Sequence, residues 1–291
     1  MKSSQFKILA HRGASAMAPE NTMAAFRMAF EAGADGMECD VRLSADGEPV
    51  VIHDATINRT CTGRGRGNSI VNGQLAIGNW QPGEEQEIFV SSLKTVELTR
   101  MDAGGWFGEE FAGETVPSLD ELLQWLPTEC LLRVEIKHGA LPGSRRIVQA
   151  VAGVFRNHSR LLKAGALSVS SFNPMVLRLM GREWRYGQGQ SNGQGSIGNW
   201  QLATEEPRQG KPGLYRLFAR SCKSVFGRKP LVGLIPGLTG VDVPVWQVFG
   251  DGGVLSSHWE KRLNRWRKRG LKLAGWTVDD VSQFESLKRA G

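Results

Sequence analysis

The chain has 291 residues, of which 41% are hydrophobic and 22% charged. This length can bury the core of one large α/β domain, and the composition excludes a disordered or fibrous protein. The formal charge of +7 would suit an acidic partner. However, the basic residues cluster late, at 216–229 and 261–269, where a solvated helix face is the simpler interpretation, so nucleic acid is not an expected partner.

Targeting and redox signals are weak. The four cysteines stand singly without a CxxC pair, which argues against a zinc ribbon or a disulfide framework and fits a reducing compartment. No secretory signal precedes the first short apolar run, and no apolar stretch approaches the roughly 18 residues of a membrane span. We therefore expect a cytoplasmic protein with no membrane span.

The first elements alternate in type. The pattern predicts a strand over 6–10, a helix capped by Asn21 and ended by Gly33, a strand over 36–43 and an extended return over 49–53. The last pairing brings Asp40 opposite His53 with no helix between them. Both residues are therefore expected at one edge of a sheet.

Later elements continue the alternation. Residues 58–113 are rich in Gly, Asn and Gln and predict an insertion after the His53 hairpin. A capping box at Ser118–Glu121 opens a helix, and 131–136, 167–170, 230–235 and 271–278 are predicted strands. A glycine-rich segment at 187–200 fits neither a helix nor a strand pattern.

The alternation predicts a parallel sheet and, at this length, a (β/α)8 TIM-type barrel. Seven barrel strands are predicted, near residues 8, 38, 134, 168, 185, 233 and 274. The sequence ends at Gly291, where an eighth strand is expected to begin. The prediction is a single catalytic barrel domain over 1–291, with the 58–113 insertion inside it and the last strand lacking; such an open barrel would expose strand edges.

Acidic residues suggest a metal site. Glu38 and Asp40 are two residues apart on a strand, so both side chains point to one face. Two such carboxylates repel each other unless a cation neutralises them, and Mg²⁺ and Ca²⁺ prefer oxygen ligands. Glu135, near the end of a later strand, is a candidate third ligand, and a polar strand rim is the structural alternative.

Basic residues suggest phosphoryl chemistry. His11 and His53 end strands and can transfer protons in the two halves of a phosphodiester displacement. Arg12 and Lys137 supply the positive charge that a phosphoryl group requires. A single histidine more often has a structural role, and a surface salt bridge is the alternative for Arg12.

Two aromatic residues are weaker candidates. Phe172 follows one late strand and Trp276 ends another, so each is a candidate wall of a site at the carboxyl ends of the strands. Packing in the core is the more common role of such residues.

The sequence resembles the glycerophosphodiester phosphodiesterase family, of the cytoplasmic bacterial type. The family's motifs occur in order: Ala-His-Arg-Gly at 10–13, Pro-Glu-Asn-Thr at 19–22, Gly-Ala-Asp at 33–35, Glu-Cys-Asp-Val at 38–41, His-Asp at 53–54, Arg-Thr at 59–60, Glu-Ile-Lys at 135–137, Ser-Ser-Phe at 170–172 and Trp-Thr-Val at 276–278. Each motif is weak alone, whereas the ordered set is specific.

The resemblance implies roles for these residues. His11 and His53 would be the general acid/base pair, and Glu38, Asp40 and Glu135 would bind one divalent cation, Mg²⁺ or Ca²⁺. The substrate-binding residues would be Arg12, Lys137, Phe172 and Trp276. The implied reaction hydrolyses small-molecule glycerophosphodiesters to sn-glycerol 3-phosphate and an alcohol.

Two alternatives remain at this point. A phospholipase D-type hydrolase uses a similar site on the same scaffold, although such relatives are typically secreted and disulfide-bonded. A truncated, non-catalytic barrel that binds phosphodiesters or other anions is the second alternative. The intact pair of histidines and the acidic set count against a protein that only binds.

Overall fold

A computed structural model of the protein describes residues 7–61, 68–71, 74–77, 87–137, 143–187, 199–203, 238–244 and 272–276, with Lys261, Asn264 and Lys268. Two compact units are formed. The N-terminal unit consists of Lys7–Val169 and Glu183–Gly198, and the C-terminal unit consists of Met1–Phe6, Ser170–Arg182 and Asn199–Gly291.

Strands and helices alternate along the N-terminal unit. Its elements are β1 (Leu9–His11), α1 (Met23–Glu31), β2 (Gly36–Leu43), β3 (Pro49–Val51), β4 (Asn68–Val71), β5 (Gln74–Ile77), α2 (Thr95–Leu98), α3 (Leu119–Trp125), β6 (Leu131–Ile136), α4 (Ser144–Asn157) and α5 (Ser159–Ala164). Two elements have residues in both units, β7 (Leu167–Ser171) and α6 (Pro174–Gly187).

The sheet of the N-terminal unit has the order β1-β2-β6-β7, and β3 pairs with β2. β2 lies parallel to β1 and β6, and β3 lies antiparallel to β2. The register places His11 beside Glu38 and Asp40 beside Glu135. The carboxyl ends of three parallel strands thus meet at one edge, which is where α/β proteins carry their functional groups.

Alternation along β2 separates the polar edge from the core. Met37, Cys39 and Val41 are fully buried between the acidic residues of the same strand, because successive side chains of a strand point to opposite faces. Helix α1 contacts β2 and contributes Phe26, which is also fully buried. Burying one such side chain stabilises the fold by about 2–3 kcal/mol.

The insertion shares a buried core with the β3 segment. β4 and β5 form an antiparallel hairpin, and 3-10 turns lie at Val90–Ser92 and Glu109–Phe111. The buried cluster combines side chains of the β3 segment, of the insertion and of the residues before α3: Val50, Ile52, Ile57, Cys61, Val90, Leu93, Leu98, Met101, Ala103 and Val116. Cys61 and residues 90–103 of the insertion are therefore packed onto the sheet through β3.

The C-terminal unit contains the strands β8 (Asn199–Ala203), β9 (Leu238–Pro244) and β10 (Lys272–Trp276). β9 pairs in parallel with both β8 and β10. The register between β8 and β9 shifts between Trp200 and Gln201.

Several predicted elements are confirmed. The strands predicted over 36–43 and 131–136 match β2 and β6, and those over 167–170 and 271–278 match β7 and β10 within two residues. Ser118 caps α3 by accepting a hydrogen bond from Glu121 N. Among the described residues, no helix is long and apolar enough to cross a membrane.

The strand predicted near residue 185 is wrong, because that position lies in α6. Val176, Leu177 and Met180 of this helix are fully buried, and their spacing is that of one helix face. The strand predicted over 230–235 lies outside the described residues, as does the end of the sequence, where the last barrel strand is predicted to be lacking.

Candidate metal centre and catalytic site

Three buried carboxylates converge at the polar edge of the sheet. Ligand atoms of Glu38, Asp40 and Glu135 all lie within 4.8 Å of one another. The side chain of Asp40 is fully buried, and those of Glu38 and Glu135 are 10–11% exposed. Burial, together with the neighbouring carboxylates of Asp40 and Glu135, raises the pKa of Glu38 well above its usual value.

Lys137 neutralises part of this cluster. Its Nζ atom lies 2.6 Å from Oε1 of Glu135 and 3.1 Å from Oδ1 of Asp40. Burial acts to raise the pKa of Asp40, but the charges of Lys137 and Arg12 outweigh it and the pKa is lowered. Asp40 is therefore an ionised carboxylate in a buried site.

The cluster fits a hard divalent cation. All three ligands are carboxylates, the donors that Mg²⁺ and Ca²⁺ prefer. Oε1 of Glu38 is buried and has no hydrogen-bond partner among the residues that the structure describes. A buried carboxylate oxygen without a partner is costly, and a bound cation would compensate for that cost.

Arg12 lies against the cluster because the loop after β1 turns sharply. Arg12 has a φ of 60° and Gly13 a φ of 78°. The backbone N–H of Arg12 donates to Oε2 of Glu38 at 3.2 Å. The guanidinium Nε lies 3.0 Å from Oδ2 of Asp40. The left-handed turn thus aims the arginine at the metal cluster instead of at solvent.

His11 ends β1 at the same edge. Its Nε2 atom is 3.9 Å from Oε2 of Glu38, and about a third of its side chain is exposed. Burial lowers the pKa of His11 to about 4, and the charge of Arg12 adds to the effect. The imidazole is therefore neutral at pH 7, as a proton acceptor must be.

His53 follows β3, and both its side chain and its backbone carbonyl are held by hydrogen bonds. Its Nδ1 atom is 2.6 Å from Oδ1 of Asp54, and its carbonyl accepts a hydrogen bond from Nε of Arg42 at 2.7 Å. A carboxylate acceptor places the proton on Nδ1 of a neutral ring and leaves Nε2 as the other functional atom. The arrangement of His53 and Asp54 is that of a supported acid/base histidine.

Asn21 has a role different from the predicted one. Thr22, not Asn21, caps α1, with its side chain accepting from Ala25 N. Asn21 has a φ of 59°, and its Nδ2 donates to Oδ2 of Asp40 at 2.9 Å. Asparagine tolerates this left-handed conformation better than most residues, so the amide can reach the carboxylate from the loop.

Three other charged residues lie in the site without a role predicted from the sequence: Glu20, Asp54 and Arg59. The carboxylate of Glu20 accepts from Arg12 and from Arg59, and Arg59 also donates to Asp54. All three lie in motifs that the sequence displays, at 19–22, 53–54 and 59–60. The motifs could have marked these residues as functional, but they did not indicate that the three side chains contact one another.

The structure brings seven of the nine predicted site residues into the N-terminal unit: His11, Arg12, Glu38, Asp40, His53, Glu135 and Lys137. Phe172 directly follows β7, and Trp276 is the last residue of β10. Both belong to the C-terminal unit. Their place beside a substrate stays a prediction.

Parallel strands joined by helices, with ionisable groups at their carboxyl ends, are typical of α/β proteins, including those with a barrel fold. The sequence profile described as "Glycerophosphoryl diester phosphodiesterase family" matches residues 11–291. This match covers nearly the whole chain. The chain therefore belongs to the glycerophosphoryl diester phosphodiesterase family and has its TIM-barrel fold.

Curated relatives agree with the family. A glycerophosphodiester phosphodiesterase of Caldanaerobacter subterraneus subsp. tengcongensis is 37% identical over 175 residues, which cover 59% of this chain and 60% of the relative. Another, from Bacillus altitudinis, is 34% identical over 177 residues and 60% of each chain. The matched part thus spans about three fifths of these relatives' length.

Solved structures show the same fold. An Oleispira antarctica phosphodiesterase in complex with the product sn-glycerol-3-phosphate aligns with a TM-score of 0.66 at 22% identity, covering 98% of this chain and 90% of the other. The glycerophosphodiester phosphodiesterase of Agrobacterium tumefaciens aligns with a TM-score of 0.64 at 24% identity, covering 98% and 93%.

Proposed function

We propose that the protein hydrolyses small-molecule glycerophosphodiesters to sn-glycerol 3-phosphate and an alcohol, with one divalent cation, Mg²⁺ or Ca²⁺. The observation that carries the proposal is the buried triad Glu38, Asp40 and Glu135, bordered by Arg12 and Lys137. This set combines cation ligands with the positive charge that a phosphoryl group requires. His11 lies at the same edge and His53 beside it.

The carboxylates of Glu38, Asp40 and Glu135 would hold the cation. A cation held there would polarise a non-bridging oxygen of the phosphodiester and would stabilise the charge that grows in the transition state. Arg12 and Lys137 bind the remaining phosphoryl oxygens and offset the same charge. Phe172 and Trp276 are proposed to contact the glycerol or the head group.

Two histidines serve the two proton transfers of the reaction. One accepts the proton of the attacking nucleophile, which is either water or the substrate's own 2-hydroxyl, and the other donates a proton to the oxygen of the leaving alcohol. Attack by the 2-hydroxyl would give a cyclic phosphate, which water then opens to sn-glycerol 3-phosphate. The burial that lowers the pKa of His11 keeps its imidazole ready to accept. Asp54 lies at Nδ1 of His53, which leaves Nε2 to exchange a proton with the substrate.

The proposed cellular setting is the cytoplasm, and the proposed catalytic domain is the whole of 1–291. Cys39, Cys61 and Cys130 are free and buried, which fits a reducing compartment. Burial raises the pKa of Cys61 to about 12, so this thiol is unreactive at neutral pH. No part of the proposed mechanism uses a cysteine.

The test measures release of glycerol 3-phosphate from glycerophosphocholine by the purified chain. The expected result is turnover with Mg²⁺ or Ca²⁺ that disappears with excess EDTA and in His11→Ala. His158→Ala is the matched control, because His158 pairs with Asp120 between α4 and α3 and lies outside the site. Turnover of lysophosphatidylcholine but not of glycerophosphocholine would instead support a phospholipase D-type reaction.

A further inference from the structure

Glu20 and Arg59 form a two-point ion pair that the proposed chemistry does not use. Nη2 of Arg59 donates to Oε1 of Glu20 at 2.7 Å, and Nη1 donates to Oε2 at 2.9 Å. Paired parallel hydrogen bonds of this kind are short, charge-assisted and geometrically specific. The residues are 39 positions apart, so the pair joins the loop after β1 to the segment after β3.

The pair is connected to the phosphate-binding side of the site through Glu20. Oε1 of Glu20 also accepts from Nη1 of Arg12 at 3.0 Å, and Arg12 in turn contacts Asp40. The side chain of Glu20 is 12% exposed. Burial acts to raise the pKa of Glu20, but the hydrogen bond from Arg59 outweighs it and the pKa is lowered. Glu20 is thus an anion between two guanidinium groups.

The pair is connected to the histidine side through Arg59. Nε of Arg59 donates to Oδ2 of Asp54, and Oδ1 of Asp54 lies 2.6 Å from Nδ1 of His53. All three guanidinium nitrogens of Arg59 therefore donate to carboxylates. This use of its donors distinguishes Arg59 from an arginine that presents its donors to a phosphate.

The chain of contacts alternates in charge from Arg12 through Glu20 and Arg59 to Asp54. Two guanidinium groups face two carboxylates, so the chain is electrically balanced without any ligand. Each interior member contacts a neighbour on both sides, which fixes its orientation. A rigid, balanced chain can hold two distant groups at a defined separation, as supporting groups around catalytic residues do.

We propose that Glu20 and Arg59 are positioning residues that hold Arg12 and His53 in one fixed arrangement. Glu20 sets the guanidinium of Arg12 against the phosphoryl position, and Arg59 fixes Asp54 and with it the ring of His53. The role rests on the proposed phosphodiesterase function. Neither residue touches the reacting atoms, and each acts through its neighbour.

A double-mutant cycle tests the link between the two residues. Glu20→Gln is expected to raise KM more than it lowers kcat, because Arg12 is loosened. Arg59→Gln is expected to lower kcat more than it raises KM. Each single change should lower kcat/KM about 10- to 100-fold, as loss of a supporting contact typically does. The kcat/KM of the double variant should be at most about threefold lower than that of the less active single variant.

The matched control is the exposed pair of Arg156 and Glu183, with Nη2 and Oε1 3.2 Å apart. The variants Arg156→Gln and Glu183→Gln, and their combination, should leave kcat and KM unchanged. Arg59→Lys keeps the charge but has no planar fork, so it should recover only part of the loss. Independent, multiplicative losses in the Glu20 and Arg59 cycle would overturn the proposal.

A second readout does not depend on turnover. In protein labelled with ¹⁵N-histidine, the His53 ring, assigned with His53→Gln, should give the signals of the Nδ1–H form. Arg59→Gln should shift these signals towards a mixture of both neutral forms, whereas Arg156→Gln should not. Unchanged signals in a folded Arg59→Gln variant would overturn the positioning role. Absence of turnover in the wild type with these signals intact would instead overturn the proposed function alone.

Discussion

Lys137 occupies the position of a counterion to Asp40, with Nζ 3.1 Å from Oδ1 of the buried carboxylate. The ammonium group and a divalent cation would both be attracted to the same carboxylates. Lys137→Gln removes this competitor. We expect it to tighten Mg²⁺ or Ca²⁺ binding by about tenfold, or about 1.4 kcal/mol. Turnover should nevertheless fall, because the phosphoryl group loses the positive charge of the lysine.

Calorimetric titration of the metal-free protein measures this change. Lys7→Gln is the matched control, because Lys7 forms an exposed ion pair with Asp35 at 2.7 Å. Exposed pairs contribute little, so the metal affinity of this variant should equal that of the wild type. Weaker metal binding in Lys137→Gln would mean that the lysine orders the carboxylates instead of competing for them.

Glu38 is held in a position that costs stability in the metal-free protein. Burial and the carboxylates of Asp40 and Glu135 raise its pKa, and Oε1 has no hydrogen-bond partner within the described parts of the chain. Glu38→Gln removes the charge at similar size. The free energy of unfolding without metal should rise by roughly 1 kcal/mol, as relief of a strained functional site commonly gives.

The same substitution should abolish the stabilisation that a divalent cation gives to the wild type. Urea denaturation with EDTA and with excess Mg²⁺ or Ca²⁺ separates the two effects. Glu48→Gln, at an exposed position near β3, controls for loss of one surface charge. A metal-free Glu38→Gln variant less stable than the wild type would contradict the expectation that the carboxylate is destabilising.

Asp54 makes stability depend on pH in the acid range. The hydrogen bond from His53, and then that from Arg59, lower the pKa of Asp54 below its ordinary value, which is about 4. A carboxylate with a depressed pKa in the folded state stabilises the protein above the ordinary value. That contribution is lost as pH falls through the folded value, because the proton then binds in both states.

Thermal unfolding of Asp54→Asn against the wild type tests this dependence. The Tm of the variant should be lower by about 2–4 °C at pH 7, since the group is partly exposed and the pair is screened. The difference should shrink steadily below pH 4. A difference that is constant between pH 7 and pH 3 would show that Asp54 contributes through its shape and not through its charge.

The hydrophobic pattern of the sequence predicted strand bounds and the side chains that share a strand face, because both depend on neighbouring residues. The bounds of β2 follow from alternating apolar and charged residues before the turn at 45–47, and those of β6 from a largely apolar run that ends before Lys137. Alternation also predicted that Glu38 and Asp40 share a face. The strand predicted near residue 185 was wrong because short apolar runs do not distinguish a strand from a buried helix.

Contacts between distant segments could not be predicted in the same way. Glu20 and Arg59 lie in separate motifs, at 19–22 and 59–60, and their pairing depends on how the loop after β1 meets the segment after β3. The contact between Asn21 and Asp40 needs a left-handed backbone conformation, which spacing does not encode. The sequence also did not predict that Lys137, a candidate for binding the phosphate, contacts both Asp40 and Glu135.

Gly13 is the residue on which the turn before the metal centre depends. Its φ is 78°, and a Cβ atom there would lie 2.6 Å from the backbone carbon of Ala25 in α1. Ala14 N also donates to Ala25 O at 2.9 Å, so the loop cannot easily move away. Gly13→Ala should therefore lower the free energy of unfolding by about 3 kcal/mol, from backbone strain and overpacking together.

Gly33→Ala provides a control that separates these two causes. Gly33 has a similar φ of 82°, but a Cβ atom there meets nothing within 4 Å. That variant should lose only about 1 kcal/mol, the cost of the left-handed conformation alone. Urea denaturation measures both variants. Equal losses would mean that the approach of the loop to α1 contributes nothing, and that the aim of Arg12 at Asp40 does not depend on it.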